Sequence, residues 1–291
     1  MNGLILLDKP KGFTSFKAAA AIRRIFGEKR VGHTGTLDPM ATGVLPILIG
    51  RSTRLCSYVL EADKCYTATV RLGITTDSLD ITGEVISERA VNVSDEALKT
   101  ALESFIGTYD QIPPMFSAIK KDGVRLYDLA RKGEEVERTP RSVTIKELNF
   151  VRRNGDEFVM DVLCSKGTYI RSLADDIGKL LGCGACLTAL RRTKTAQFEI
   201  EKCVTLEELE KDPLKYLLSP DLAVEYLKSV NYSEPQGVRF KNGAEIDANR
   251  VNLPEVSDQE LLRVYSGEHF LGLAIYSAKD NSLHTKCVIE G

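Results

Sequence analysis

The stretch Gly32-His33-Thr34-Gly35-Thr36-Leu37-Asp38-Pro39-Met40-Ala41-Thr42-Gly43 gathers the residue types that chemistry needs. Its glycines let backbone approach a ligand closely, and hydroxyls, a histidine and an aspartate stand among them. Pro39 pushes Asp38 toward an extended conformation, so the loop can hold a carboxylate rigidly at the floor of a cleft. A carboxylate held in this way can act as a nucleophile or stabilise a developing cation. The same Asp-Pro pair also reads as an ordinary turn, and the loop by itself leaves both readings open. A phosphate cradle does not fit, because the Gly-x4-Gly-Lys-Ser/Thr spacing is absent. A second candidate, Cys183-Gly184-Ala185-Cys186, has redox or half-zinc spacing. Zinc would need a second ligand pair. Cys164 and Cys203 stand singly, and His269 and His284 lie far downstream, so this segment reads as a tight turn after a helix.

The elements around the Gly-rich loop follow from hydrophobic periodicity. Residues 3–7 read as a short buried strand. Thr14 or Ser15 caps a helix with Ala19, Ile22 and Phe26 at helical spacing, and Gly27 stops it. Residues 27–43 read as loop, 44–49 as an apolar run, 52–61 as helix and 66–72 as an alternating strand. Ser94 opens an amphipathic helix with Ala97, Leu98, Ala101, Leu102 and Phe105 on one face, and Gly107 ends it. Residues 110–141, rich in Pro, Gly and charge, form an excursion. Strands at 144–151 and 158–164 flank the hairpin signal Arg153-Asn154-Gly155-Asp156. Residues 168–181 read as a helix with Ile170, Leu173, Ile177 and Leu181 on one face. An acidic helical stretch at 205–228 is interrupted by Pro213 and Pro220. Short strands at 237–241, 261–265, 270–277 and 284–289 then give a β-rich module of about 60 residues.

Composition excludes several classes. The chain has 291 residues, 43% of them hydrophobic and 27% charged, which fits a folded globular protein and not a disordered one. No apolar run approaches the roughly 20 residues of a membrane helix. The start lacks the apolar core of a secretory signal, and the scattered cysteines fit a reducing compartment. The expectation is a soluble, cytoplasmic protein. The net charge of −2 hides patches. Residues 1–60 carry nine basic against three acidic side chains, and residues 164–194 six against two, while 199–235 carry four against nine. Basic patches attract phosphate backbones.

Six stretches then fall into one pattern. The 32–43 loop, Leu6-Leu7-Asp8-Lys9-Pro10-Lys11-Gly12, Lys64-Cys65-Tyr66, Ile112-Pro113-Pro114-Met115 with Ser117-Ala118, Lys166-Gly167-Thr168-Tyr169-Ile170-Arg171 and Leu190-Arg191-Arg192 resemble, in order, the motifs of the TruB family of pseudouridine synthases. The resemblance covers about residues 3–195. It implies an α+β fold with a central, largely antiparallel sheet flanked by helices, followed by a small β-rich PUA-like module. The domains would be 1–228, catalytic, with an RNA-clamping insertion at about 113–141, and 229–291, RNA-binding.

The implied activity is isomerisation of uridine to pseudouridine at position 55 in the TΨC loop of tRNA. The base would be flipped out of its stack to be reached. Asp38 matches the catalytic carboxylate and Arg171 the arginine that pairs with it. Tyr66 matches the tyrosine stacked on the target base, Tyr169 and Leu190 match pocket positions, His33 the residue near the vacated nucleotide and Asp80 a polar contact. The resemblance implies no cofactor and no metal, a tRNA stem-loop as partner, and a monomer without an obligatory protein partner. The insertion carries Lys120, Lys121, Arg125, Arg131, Lys132, Arg138 and Arg141 with Tyr127 among them, side chains suited to phosphate contact. A non-catalytic tRNA-binding protein on the same scaffold is the competing reading. A thiol oxidoreductase using Cys183 and Cys186 is a third.

Overall fold

Two apolar runs near the N-terminus lack polar alternation, as strands covered on both faces require. In the computed structural model, which describes residues 1–117, 119–121 and 123–290, with Lys120, Lys121 and Arg125 described by backbone alone, these runs become the strands Gly3–Lys9 and Thr42–Ile49. They pair antiparallel from Gly3↔Ile49 to Lys9↔Gly43. Ile5, Leu7, Leu45 and Ile47 face one core, which they share with the helices Ser15–Phe26, Asp95–Ser104, Ile170–Leu180 and Leu206–Lys211. Leu4, Leu6, Val44 and Leu48 face a second core containing Phe270, Leu273 and Ile289 from the C-terminal module. The first strand is therefore sandwiched between helices and the module.

The main sheet runs Gly3–Lys9, Thr42–Ile49, Ala185–Thr195, Lys64–Leu72, Glu157–Cys164, Arg141–Asn154, Gly107–Gln111. The fold is α+β and the sheet largely antiparallel, as the family resemblance implies. Among these neighbours, Thr42–Ile49 and Ala185–Thr195 pair parallel, and over two positions, Arg191↔Thr42 and Arg192↔Gly43. Local signals act where expected. The Thr14 hydroxyl accepts from the Lys17 N–H at 3.0 Å and Gly27 closes that helix in the left-handed conformation. Ser94 caps the second long helix through the Ala97 N–H.

Three expectations change. The 27–43 loop contains a short strand, Val31–His33, which adds to Ile47–Ile49. The helix expected at 52–61 divides into a 3-10 turn, Gly50–Leu55, and a short α-helix, Cys56–Leu60. Residues 237–241 are not a strand but the end of a helix, Glu234–Lys241. Ser233 and Gln236 close a reciprocal capping box there, with Pro235 in the first turn, and this local signal outweighs the weak strand pattern. The helix packs on a sheet ordered Ser229–Tyr232, Leu261–Ser266, His269–Ser277, Ser282–Val288, Ile246–Asp247. Phe240, Leu262, Val264 and Leu283 form its own core. Among the described residues no helix is long and apolar enough to cross a membrane.

Candidate active site

One edge of the strand Ala185–Thr195 is incompletely covered, and the candidate residues collect there. Near its end Arg191 and Arg192 pair with Thr42 and Gly43. Near its start the Leu187 N–H donates to the Leu79 carbonyl at 3.1 Å, and the Ile81 N–H donates back to Leu187 at 2.9 Å. Between these two attachments lies Leu190, and on either side stand the loops that carry Asp38 and Asp80. Gly43 permits the first attachment. Its φ is +105°, and a Cβ there would lie 2.2 Å from the Arg192 carbonyl oxygen.

The Asp38 loop is fastened at several points. Leu37 donates its N–H to the Ser15 hydroxyl at 2.8 Å, and that hydroxyl donates to the Leu37 carbonyl at 3.2 Å. The Gly12 N–H bonds the Pro39 carbonyl at 2.7 Å, and the Ala41 N–H bonds the Asp38 carbonyl at 3.1 Å. Leu37, Met40 and Ala41 are buried beneath, which leaves the Asp38 side chain projecting into the cleft, 32% exposed.

Arg171 reaches Asp38 from the first turn of the helix Ile170–Leu180. Its Nη2 donates to Asp38 Oδ1 at 3.0 Å, and its Nε lies 2.8 Å from Oδ2 but off the N–H axis, an ion contact and not a hydrogen bond. The rest of the guanidinium is held by the Ser78 carbonyl at 3.1 Å and the Phe116 carbonyl at 2.8 Å. Asp80 Oδ2 stands 3.8 Å from Arg171 Nε, while Asp80 Oδ1 accepts from Ser78, the Thr82 N–H and the Thr82 hydroxyl. One nearly buried arginine thus sits between two carboxylates. Desolvation pushes the Asp38 carboxyl above its ordinary pKa; Arg171 opposes that rise, Asp80 adds to it, and Lys9 opposes it more weakly.

Tyr66 is buried at the start of its strand, and burial raises its phenol pKa, with Arg192 opposing and Asp38 contributing. Tyr169, half-buried, has its phenol pKa raised by burial, and its ring environment includes Ser117, Arg171 and Asp38. Leu190 is buried in the main core. His33 stands on the strand Val31–His33 with Nδ1 buried and, among the described residues, without a hydrogen-bond partner. Desolvation, then the Arg192 charge, lowers its pKa. The structure therefore gathers Asp38 and Asp80 around the Arg171 guanidinium, with Tyr66 and Tyr169 within electrostatic reach of Asp38 and His33 within reach of Arg192.

Residue-type reasoning assigned no role to three further groups. Lys9 is fully buried, donates to the Pro10 and Phe13 carbonyls at 2.9 and 2.6 Å, and burial lowers its pKa to about 8. Gln111 grips the backbone of Tyr169 on both sides: it accepts from the Tyr169 N–H at 2.8 Å and donates to the Tyr169 carbonyl at 3.1 Å. Arg192 is buried against the Val44 and Gly35 carbonyls. Lys9 and Arg192 fall inside motifs quoted above, whereas Gln111 carried no signal beyond its place before Ile112-Pro113.

The remaining sequence candidates are accounted for. Cys183 and Cys186 are free and buried, Cys183 in the turn after the helix Ile170–Leu180 and Cys186 already in the strand Ala185–Thr195. That strand lies so close to the helix that a Cβ on Gly178 would meet the Ala185 nitrogen at 2.2 Å. The excursion holds a two-residue hairpin, Lys120–Lys121 with Val124–Arg125, and the helix Leu126–Ala130. Arg138 ties it back to the Pro113 carbonyl at 3.2 Å, and Arg131 lies over the Tyr127 ring. Ala118, quoted with Ser117, lies outside the described residues.

Comparison with known proteins gives this geometry a family. Residues 23–170 match the TruB family pseudouridylate synthase N-terminal domain, and residues 171–228 match the tRNA pseudouridylate synthase B C-terminal domain. A protein of Clostridium perfringens named tRNA pseudouridine synthase B is 42% identical over 294 residues, covering 100% of both chains. One of Azoarcus sp. with the same name is 44% identical over 293 residues, covering 99% of this chain and 95% of its own. Among solved structures, a chain from a Cbf5-Nop10-Gar1 complex superposes with TM-score 0.76 at 25% identity, over 99% of this chain and 85% of that one. A chain from an H/ACA RNP bound to a substrate RNA has the same fold at TM-score 0.76 and 23% identity. With a carboxylate–arginine pair at the sheet edge and family matches running from residue 23 to residue 228, the chain belongs to the TruB family of pseudouridylate synthases.

Proposed function

We propose that this chain converts uridine to pseudouridine in tRNA, at position 55 of the TΨC loop, with Asp38 as the nucleophile. The relatives' name supports tRNA as the substrate. The observation that carries the nucleophile assignment is the Asp38–Arg171 contact, a carboxylate partly open to the cleft and held by a buried arginine. Simple RNA binding has no use for a carboxylate aimed at a polyanion. The reaction breaks the bond from ribose carbon 1′ to nitrogen 1 and joins carbon 1′ to carbon 5. Carbon 5 loses its proton and nitrogen 1 gains one, so the balance closes without a cofactor. Asp38 keeps the detached fragments together between the two events. Arg171 keeps the carboxylate ionised where desolvation favours the acid.

Tyr66 packs on the extruded base, Tyr169 and Leu190 wall its pocket, Asp80 contacts its polar edge, and His33 fills the space that the nucleotide leaves. The excursion at about 113–141 and the module at 229–291 supply backbone contacts, so affinity should fall with salt. The test is site mapping of pseudouridine on an unmodified tRNA transcript. Wild-type protein should convert position 55, and Asp38→Asn should give no product while binding tRNA as before. Product from Asp38→Asn at the normal rate removes the nucleophile assignment, and binding without conversion by the wild type favours the non-catalytic reading.

A further inference from the structure

Arg192 heads the large side chains that the fold buries completely, at 1% exposure. A buried guanidinium is costly unless its donors are satisfied and its charge is balanced. Its Nε donates to the Val44 carbonyl at 2.7 Å and its Nη2 to the Gly35 carbonyl at 3.2 Å. Charge balance is missing. Among the described residues the ion pairs of this region go to Arg171 and to Arg191, which binds Asp8 in bidentate fashion, and none goes to Arg192. Its titratable neighbours include Lys9, Lys64 and His33, which its field makes harder to protonate.

A local reason for tolerating such a cation lies directly across the sheet. Register places Tyr66 opposite Arg192, so the two side chains share a face, and the phenol oxygen lies beside the guanidinium. Arginine offers donors and no acceptor. The Tyr66 oxygen can therefore only accept from it, and the phenol's own O–H must point elsewhere. The other titratable neighbours of that hydroxyl are Cys164 and Asp38. Cys164 Sγ is turned to the Lys64 carbonyl, 3.7 Å away. With its S–H directed there, the Cys164 sulfur is at most a weak acceptor, and the Asp38 carboxylate, on the side of the cleft where the base would enter, is the stronger of the two.

Resting on the reaction proposed above, we infer that Arg192 is a positioning residue that acts through Tyr66: by donating to the phenol oxygen it fixes the direction of the tyrosine proton toward the reacting base. The experiment uses the full-length chain with Arg192→Met, Arg192→Lys, Tyr66→Phe and the double variants. In single turnover at saturating tRNA, Arg192→Met should slow conversion about 30-fold, with the tRNA Kd within about twofold of wild type. Arg192→Lys, which keeps the charge but not the planar fork, should recover to within about fivefold of wild type. Neither change should slow Tyr66→Phe by more than about threefold, because the group they act through is already gone. Labelled-tyrosine carbon NMR gives a readout that needs no activity: Tyr66 ionisation should move to higher pH in Arg192→Met and return toward wild type in Arg192→Lys. Effects that multiply with Tyr66→Phe, or a Tyr66 titration that ignores Arg192, overturn the inference. Should Arg192→Met not fold, Arg192→Lys in the wild-type and Tyr66→Phe backgrounds decides it. If the wild type makes no pseudouridine, the functional reading fails while the titration still judges this one.

Discussion

Replacing Arg171 by Met tests whether this arginine keeps Asp38 ionised. The substitution keeps an apolar stem of similar length in the helix Ile170–Leu180 but removes the contacts to Asp38 Oδ1 and Oδ2. Burial already pushes the Asp38 pKa up, and Asp80 pushes in the same direction, so the lost arginine was the principal opposing influence. A hydrogen bond to a charged group contributes about 1.5–3 kcal/mol. With about a third of the Asp38 side chain open to solvent, the lower half of that range applies. At about 1.4 kcal/mol per pKa unit, the acid limb of the activity profile should move up by about one unit.

The assay is single-turnover conversion of a tRNA transcript from pH 5.5 to 9. Arg171→Met should lose about tenfold more activity at the acid end than at the alkaline end, relative to wild type. Stability offers a second arm. An acid whose folded-state pKa lies above its unfolded value contributes most below the unfolded value, and that contribution is lost as pH rises through the folded one. Arg171→Met should therefore lose more stability than wild type as pH is raised from 4 toward neutrality. A loss of activity that is the same at every pH, with parallel stability curves, would falsify the tuning argument.

Other consequences can be checked separately. Gly43→Ala places a Cβ 2.2 Å from the Arg192 carbonyl at a backbone angle hostile to side chains, and urea unfolding should show a loss of about 2–4 kcal/mol. Gln111→Leu frees the Tyr169 backbone from its clamp, so the conversion rate should drop about tenfold or more while unfolding stability falls by about 1–3 kcal/mol. Phe270→Ala should cost about 3 kcal/mol and weaken the whole protein in one transition, because Phe270 shares a core with Leu4 and Val44; a separate early transition of the C-terminal sheet would show that the shared core does not couple them. Cys183→Ala with Cys186→Ala should leave conversion unchanged, since both thiols are free and buried, Cys183 in the turn and Cys186 in the strand that follows it.

What could be read from the sequence were the features that act over a few residues. The Thr14 and Ser94 caps, the Gly155 turn and the apolar stripe of the helix Ile170–Leu180 each carry their own signal. The helix Glu234–Lys241 escaped because it buries little more than Gly237 and Phe240, so periodicity is faint and the cap alone announces it. The site divides along the same line. Asp38 stands out because its loop is locally odd, yet its partner Arg171 lies 133 residues on, and without the family resemblance nothing nearby marks it as more than a charge at a helix start. Lys9, Gln111 and Arg192 look like ordinary polar residues in or beside strands. Their burial is decided by which elements pack around them, a property of the tertiary arrangement that spacing does not encode.

The short parallel contact at Thr42 and Gly43 explains why the carboxylates meet where they do. Had the strand Thr42–Ile49 begun several residues earlier, it would have covered the edge of Ala185–Thr195 through Leu190 and satisfied its backbone with a ladder. Instead the chain gives up that pairing and fills the edge with two loops. One is fastened by Leu37 to Ser15 and by Pro39 to Gly12, the other by Leu79 and Ile81 to Leu187. Loops attached at both ends of a gap project their central side chains over it, here Asp38 and Asp80, and leave a floor made of Leu190. Two carboxylates so placed would repel one another without a cation between them. The first turn of the helix Ile170–Leu180 supplies Arg171 there, although a cation at a helix start opposes the dipole. That local cost is offset where the Ser78 and Phe116 carbonyls complete the arginine's hydrogen bonds, and a side chain that breaks the rule of its own helix in this way is what the role proposed for Arg171 requires.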